Sequence, residues 1–414
     1  MTEKKPTKPG PKKWMNFPLF VIYGLSLSIG ASLFTILGIT ASKAGLYSPL
    51  TFILPAITIG LTAFSYAEFA TRHPLAGGEM SYADEAFGIS PLTIITGILV
   101  ILTGIATAAL LVMGAAAYSE NLMPFLPSKI ILGGVFLAVS VIALAGLLNF
   151  SASVFLMGIG TITGIVFFLF YGIRSDPALL SNVDNLIPPM QWSAWKGIFL
   201  GSFFAFLPFI GLNDVTNMPD KIKSPKLTVP YGLITVIILT LFLFLLISSL
   251  LILITPLISL AASDAPFSLA VQSASVQVNI FFNSLVVLLL INGAALQIFR
   301  ASKVIFNLAL TGRLPHIFMS MNKVTKTAQF AILALMGVVG SLIYTISLIT
   351  LAEIASGLTL LLFALINFSL IRQKWGGIEI PNFNAYSTKL WVPITGLFCC
   401  LLMIGIGIWG RWFA

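Results

Sequence analysis

Charge is what this sequence lacks most. Only 8% of its 414 residues are Asp, Glu, Lys or Arg, where a soluble domain carries about a quarter, so water is not its main solvent. Cysteine is nearly absent: Cys399 and Cys400 are adjacent in an apolar run, which excludes a disulfide framework. The two histidines, His73 and His316, lie far apart, so no metal site of the spaced His/Cys kind is expected. Neither a glycine-rich phosphate loop nor a Ser/His/Asp constellation is present. A nucleotide-driven pump, an enzyme and a bound cofactor are therefore not expected. No hydrophilic stretch is long enough to hold a soluble domain.

What the chain has in abundance is apolar length. Hydrophobic residues make up 58% of it, gathered in runs near 20 residues, enough to cross a hydrocarbon core about 30 Å thick. Eleven spans are expected, near 18–42, 47–70, 91–119, 129–148, 151–173, 197–218, 229–255, 278–311, 328–346, 349–371 and 390–411. The start, MTEKKPTKPGPKKW, reads as a solvated basic arm over 1–17. No small-residue cleavage site follows it, so the next run is read as a retained span.

With the N-terminus inside, 17 of the Lys and Arg side chains fall on the inner side and 5 on the outer. That bias sets the orientation, with the N-terminus cytoplasmic and the C-terminus outside. The net charge of +9 belongs to these orienting segments, and a nucleic-acid partner is not expected.

Two spans carry interruptions that lipid would not tolerate. In the first, YGLSLSIGASLFTILG clusters the small residues Ser26, Ser28, Gly30, Ala31 and Ser32, which suit a helix-packing face or a break. In the sixth, SFFAFLPFIGLNDVTN holds Pro208, Gly211, Asn213 and Asp214. Pro208 removes an N–H, Gly211 adds backbone freedom, and the polar pair is costly in hydrocarbon. Matched interruptions in two halves point to the binding site of an inverted-repeat transporter.

The polarity of the breaks gives the ligand its character. After the first, N–H groups near Gly30, Ala31 and Ser32 present a positive dipole end that suits a carboxylate. Before each, carbonyls near Ser28–Ile29 and Phe206–Leu207 suit an ammonium group. An α-amino acid carries both.

With these stretches in view, the sequence resembles the amino acid–polyamine–organocation (APC) superfamily. SIGASLF looks like its first-span glycine motif, and YAEFATRHPLAGGEMSYADEAFG like its second-to-third-span signature. FFAFLPFIGLNDVTNMPDKIKSPKLTVP looks like its sixth span, and ASKVIFNLALTGRLP like the inner end of its eighth. The four matches are ordered along about 300 residues.

The resemblance implies an all-α polytopic fold, a five-plus-five inverted repeat with broken helices 1 and 6. The halves would be 18–173 and 197–371, with an additional helix at 390–411. It implies a secondary active transporter working by alternating access in the cytoplasmic membrane. By this analogy Gly30, Ala31 and Ser32 bind the substrate carboxylate, and Ile29 belongs to the substrate-binding set. The backbone of Phe206 and Leu207 takes the ammonium, and Phe209 closes over the side chain beside Gly211. Asn213, Asp214, Ser26 and Asn292 are expected to gate or couple.

The phenylalanines around the sixth-span break favour a neutral, apolar amino acid. The alternatives are a cationic amino acid or polyamine, should Asp214 face the substrate, and a transport-inactive sensor. Coupling to H+ or Na+ and the oligomeric state are left open. The chain departs from the family at Lys303 and Thr311, at Asn213, and in the fifth span, where Thr161 or Thr163 stands in the region of a lysine found in some relatives. Among the other polar residues, Glu68 is expected to pair with Arg72. Glu353 reads as a surface residue, and Asn283, Asn292 and Gln297 as an interhelical stripe.

Overall fold

In the computed structural model the described residues are 15–28, 32–72, 78–88, 90–146, 150–175, 179–211, 222–322, 325, 327–376 and 386–413. The chain is almost wholly helical. Span 1 is two helices, α1 (Phe17–Ser28) and α2 (Leu33–Ala44). Gly45, at φ 59°, closes α2, and a 3-10 segment over Gly45–Phe52 carries the chain into α3 (Ile53–Arg72). Then come the short α4 (Gly78–Phe87), the long α5 (Pro91–Leu122), α6 (Ser128–Ala145) and α7 (Phe150–Ser175). The sixth span begins as α8 (Trp192–Phe204).

The second half continues with α9 (Pro225–Ile254), the small α10 (Leu257–Ala261) and α11 (Pro266–Ala270), and α12 (Val276–Leu310). It closes with α13 (Gln329–Thr345), α14 (Leu348–Trp375) and α15 (Trp391–Phe413). Among the described residues eight helical runs are long and apolar enough to cross a membrane, and α1 and α13 are shorter apolar helices. The fourth span is shorter than expected, because Gly146 turns the chain out of α6 at φ 69°. The sixth starts earlier, at Trp192.

Lipid tails are as apolar as leucine, so helices associate here through close packing and interhelical hydrogen bonds. Gly104 of α5 lies against the Gln297 carbonyl of α12, where a Cβ would come within 3.2 Å. A second bond runs through polar residues along one stripe of α3. Thr58 Oγ1 reaches Met403 Sδ at 3.3 Å, Thr62 Oγ1 lies 3.9 Å from Cys400 Sγ, and Ser65 Oγ donates to Asn367 Oδ1 at 2.7 Å. Asn367 Nδ2 donates back to Thr62 Oγ1 at 2.9 Å.

At the basic end of the bundle the stripe finishes in Glu68, which is fully buried. As expected it pairs with Arg72, and it also meets Lys374 Nζ at 2.9 Å. Its other oxygen accepts from the N–H and hydroxyl of Thr388, at 2.8 and 2.6 Å. These contacts fasten α3 to α14 and α15. Nearby, α4 is clamped to the end of α12 by Glu79 with Arg300 and by Asp84 with Arg313.

Candidate functional site

Span 1 is described as helix up to Ser28, and after a turn at Ser32 helix begins again at Leu33. Ser28 is fully buried, and its Oγ accepts a hydrogen bond from Thr240 Oγ1 of α9 at 3.2 Å. Ser26 spends its hydroxyl on the Ile22 carbonyl one turn back, at 2.8 Å. It is pressed against Gly158 of α7, where any Cβ would lie 1.7 Å from Ser26 Oγ. On the far side of the break Ser32 caps α2 through its backbone. Its carbonyl accepts from the N–H groups of Thr35 and Ile36 at 3.2 and 3.1 Å, and from Thr35 Oγ1 at 3.0 Å. Its side chain makes no capping hydrogen bond. Ile29, Gly30 and Ala31 lie outside the described residues.

The sixth span breaks as its proline dictates. The Ala205 N–H closes the last turn of α8 onto the Gly201 carbonyl at 3.0 Å, and a 3-10 turn covers Leu207–Phe209. Carbonyls of Phe206 and Leu207 were expected to be free for an ammonium group. They accept instead from the N–H groups of Phe209 and Ile210, both at 3.1 Å. Pro208 denies the Phe204 carbonyl the N–H donor four residues on.

Around this break the aromatic side chains serve packing. The Phe206 ring meets Phe363 of α14 edge-on at 5.5 Å, and Phe209 meets Phe244 of α9 at 5.0 Å. Both are fully buried. Phe209, expected to close over a substrate side chain, is in this arrangement packed against Phe244.

Gly211 joins the two interruptions. Its position faces the backbone of α1, and an added Cβ would come within 2.1 Å of the Leu27 carbonyl oxygen. The two breaks thus meet at one depth, with Thr240 of α9 completing the junction. Asn213 and Asp214 lie outside the described residues. Asn292 on α12 is half-buried and engaged by a neighbour. Sequence reasoning passed over Thr240, one polar residue in the apolar run VIILTLFLFLL.

Beyond the break, at the end away from the basic residues, the bundle is covered. The Tyr118 hydroxyl of α5 donates to the Phe34 carbonyl of α2 at 2.8 Å and accepts from the Phe267 N–H of α11 at 3.2 Å. Gly38 of α2 lies against the backbone before α11, its Cβ position 2.3 Å from the Ser263 carbonyl oxygen. Among the described residues no group of His, Cys, Asp and Glu is arranged to hold a metal ion.

Comparison with known proteins gives this geometry its setting. The branched-chain amino acid permease BcaP of Bacillus subtilis is 23% identical over 422 residues, covering 93% of this chain and 86% of its own. The vacuolar cationic amino acid transporter 2 of Arabidopsis thaliana is 24% identical, covering 87% of this chain; the match spans 60% of that relative's length. The crystal structure of MhsT in complex with L-phenylalanine superposes with a TM-score of 0.64 at 12% identity, over 96% of this chain and all of that one. The fold is that of the LeuT-like transporters, with the paired broken helices expected of them. A model of the amino acid permease family matches residues 19–411. By that match over nearly its whole length, the chain belongs to the amino acid permease family, a membrane transporter rather than an enzyme.

Proposed function

We propose that this permease is a secondary active transporter that moves a neutral amino acid across a cytoplasmic membrane by alternating access, with its N-terminus on the cytoplasmic side. The observation that carries the reading is the junction of two helix breaks, where Gly211 rests on the Leu27 carbonyl. Backbone freed at membrane depth needs a partner other than lipid. The start of α2 offers N–H groups and a positive dipole end to a carboxylate. The end of α1 and the Phe204 carbonyl offer acceptors to an ammonium group. On this reading Gly30, Ala31 and Ser32 bind the carboxylate, and Asp214 and Asn213 act as gating or coupling groups. An apolar substrate has less support than the sequence promised, since Phe206 and Phe209 are occupied in helix packing.

The test uses the purified protein in liposomes. Thermal stabilisation is recorded against the twenty amino acids and polyamines, and each hit is followed by radiolabelled counterflow. A neutral amino acid that stabilises the protein and exchanges is the expected result. Binding without exchange, in protein shown to be folded and inserted, refutes transport and leaves a sensor. Exchange restricted to lysine, arginine or polyamines refutes the neutral class. Repeating counterflow with imposed H+ or Na+ gradients identifies the coupling ion.

A further inference from the structure

A threonine hydroxyl buried in a helix has a partner at hand, the carbonyl four residues back. The buried Thr58, Thr62, Thr71, Thr96, Thr161 and Thr359 all use it. Thr103 and Thr107 of α5 do not. Both are buried, at 3% and 4% exposure, and neither hydroxyl has a hydrogen-bond partner. An unpaired hydroxyl is costly inside a membrane protein, so two on one helix, a turn apart, call for something to bind.

The direction they face is set by their neighbours. At 3.6 residues per turn, Thr103, Thr107, Gly114 and Tyr118 fall within about 60° of one another around α5. Gly114 lies against Thr35, whose Cγ2 would be 2.1 Å from an added Cβ, and Tyr118 binds the Phe34 carbonyl. That face of α5 is therefore turned toward span 1. Seven residues separate Thr107 from Gly114, about 10 Å along the axis. Both spans run from the basic end, so Thr107 stands on the side of Gly114 toward Ser28, the last described residue of α1. Gly104, between the two threonines, touches the Gln297 carbonyl of α12, and Gln297 Oε1 is likewise shielded and unpaired.

We propose that Thr107 and Thr103 contact the substrate side chain, with Gln297 as the accompanying acceptor, and that they select a neutral amino acid bearing a hydroxyl or amide. This rests on the transporter reading above. The helix ends of spans 1 and 6 take the main-chain carboxylate and ammonium, which leaves the α5–α12 face for the side chain. Two donors and one acceptor match a hydroxyl or a carboxamide. An aliphatic side chain would leave all three unpaired, and a site built to hydrogen-bond a group rejects the analogue lacking it. A charged side chain would meet no opposite charge among the three.

The experiment compares threonine with its isostere valine, and glutamine with leucine, as competitors in counterflow and as ligands in thermal shift. It uses the wild-type protein and the variants Thr107→Val, Thr107→Ser and Thr103→Val. The wild type is expected to favour threonine over valine by tenfold or more. Thr107→Val should erase that ratio while valine binding is kept or improved, and Thr107→Ser should retain it. A wild type that favours valine, or a folded Thr107→Val with an unchanged ratio, overturns the assignment. Should Thr107→Val fail to fold, Thr103→Val gives the same reading. A wild type that exchanges no amino acid at all overturns the transporter reading itself, which separates that failure from failure of the side-chain assignment.

Discussion

Replacing Gly211 with alanine tests whether the two breaks have to meet as closely as they do. The new Cβ would lie 2.1 Å from the Leu27 carbonyl oxygen and 2.5 Å from its carbon. An ordinary C···O contact is about 3.3 Å, so one backbone has to withdraw by about 1.2 Å. Neither obstructing atom belongs to a side chain that can rotate away. Overpacking of this kind costs about 1–3 kcal/mol. A displacement near 1 Å at binding groups lowers a positioned interaction by up to about a hundredfold.

The Gly211→Ala protein should therefore melt several degrees lower in detergent and lose at least tenfold in substrate affinity by thermal shift. Gly337→Ala is the control. Nothing lies within 4 Å of a Cβ there, and alanine is the better residue in a helix interior by about 0.5–1 kcal/mol, so stability should hold or rise. Wild-type melting and wild-type affinity in Gly211→Ala would refute the reasoning, whatever the control does.

Two further predictions follow from other parts of the bundle. Glu68→Gln removes the negative charge between Arg72 and Lys374 in a buried setting, which should cost about 3–5 kcal/mol and show as a large drop in melting temperature; an unchanged melt would deny the network its structural role. Asp264, in the surface segment between α10 and α11, is held above its usual 3.8 by burial and then by the negative charge of Glu120. The folded protein thus holds this proton more tightly than the unfolded chain, so stability falls as pH rises through the window just above 3.8. Asp264→Asn should raise the melting temperature at pH 7, the gain vanishing on acidification to below that window; no gain at pH 7, or one that grows on acidification, would count against it.

Much of this could be read from single residues. Pro208 has one physical meaning inside an apolar run, and the sixth span ends its α-helix four residues before it. Small residues between Ser26 and Ser32 marked an interruption in the first span, and a turn at Ser32 precedes the helix that begins at Leu33. Glu68 and Arg72, one turn apart, announced their own pairing. What stayed hidden were relations between distant parts of the chain. Nothing near Gly211 names Leu27 as its neighbour, and nothing near Thr240 names Ser28.

The fate of individual backbone groups was equally illegible. Local pattern placed free carbonyls at Phe206 and Leu207, whereas a 3-10 turn engages both. Phe206 and Phe209 looked like a substrate's surroundings, since an apolar ring reads the same whether it lines a site or fills a helix interface. Thr103 and Thr107 gave the opposite error. In sequence they are ordinary small residues of a spanning segment, and only the rotamers that turn their hydroxyls from the i−4 carbonyls set them apart.

The polar stripe of α3 also bears on how such a chain is made. Thr58, Thr62, Ser65 and Glu68 emerge early in synthesis, while the partners that satisfy them, Met403, Cys400, Asn367 and Thr388, lie between 302 and 345 residues downstream. At about 5–20 residues per second, α3 waits tens of seconds for these partners, with Thr58 and Thr62 bonded to carbonyls of their own helix and Glu68 held by Arg72 alone. During that interval Ser65 and the second oxygen of Glu68 still lack the partners the folded bundle gives them. Docking of α14 and α15 supplies them, so the second span completes its polar contacts only when the last helices are in place.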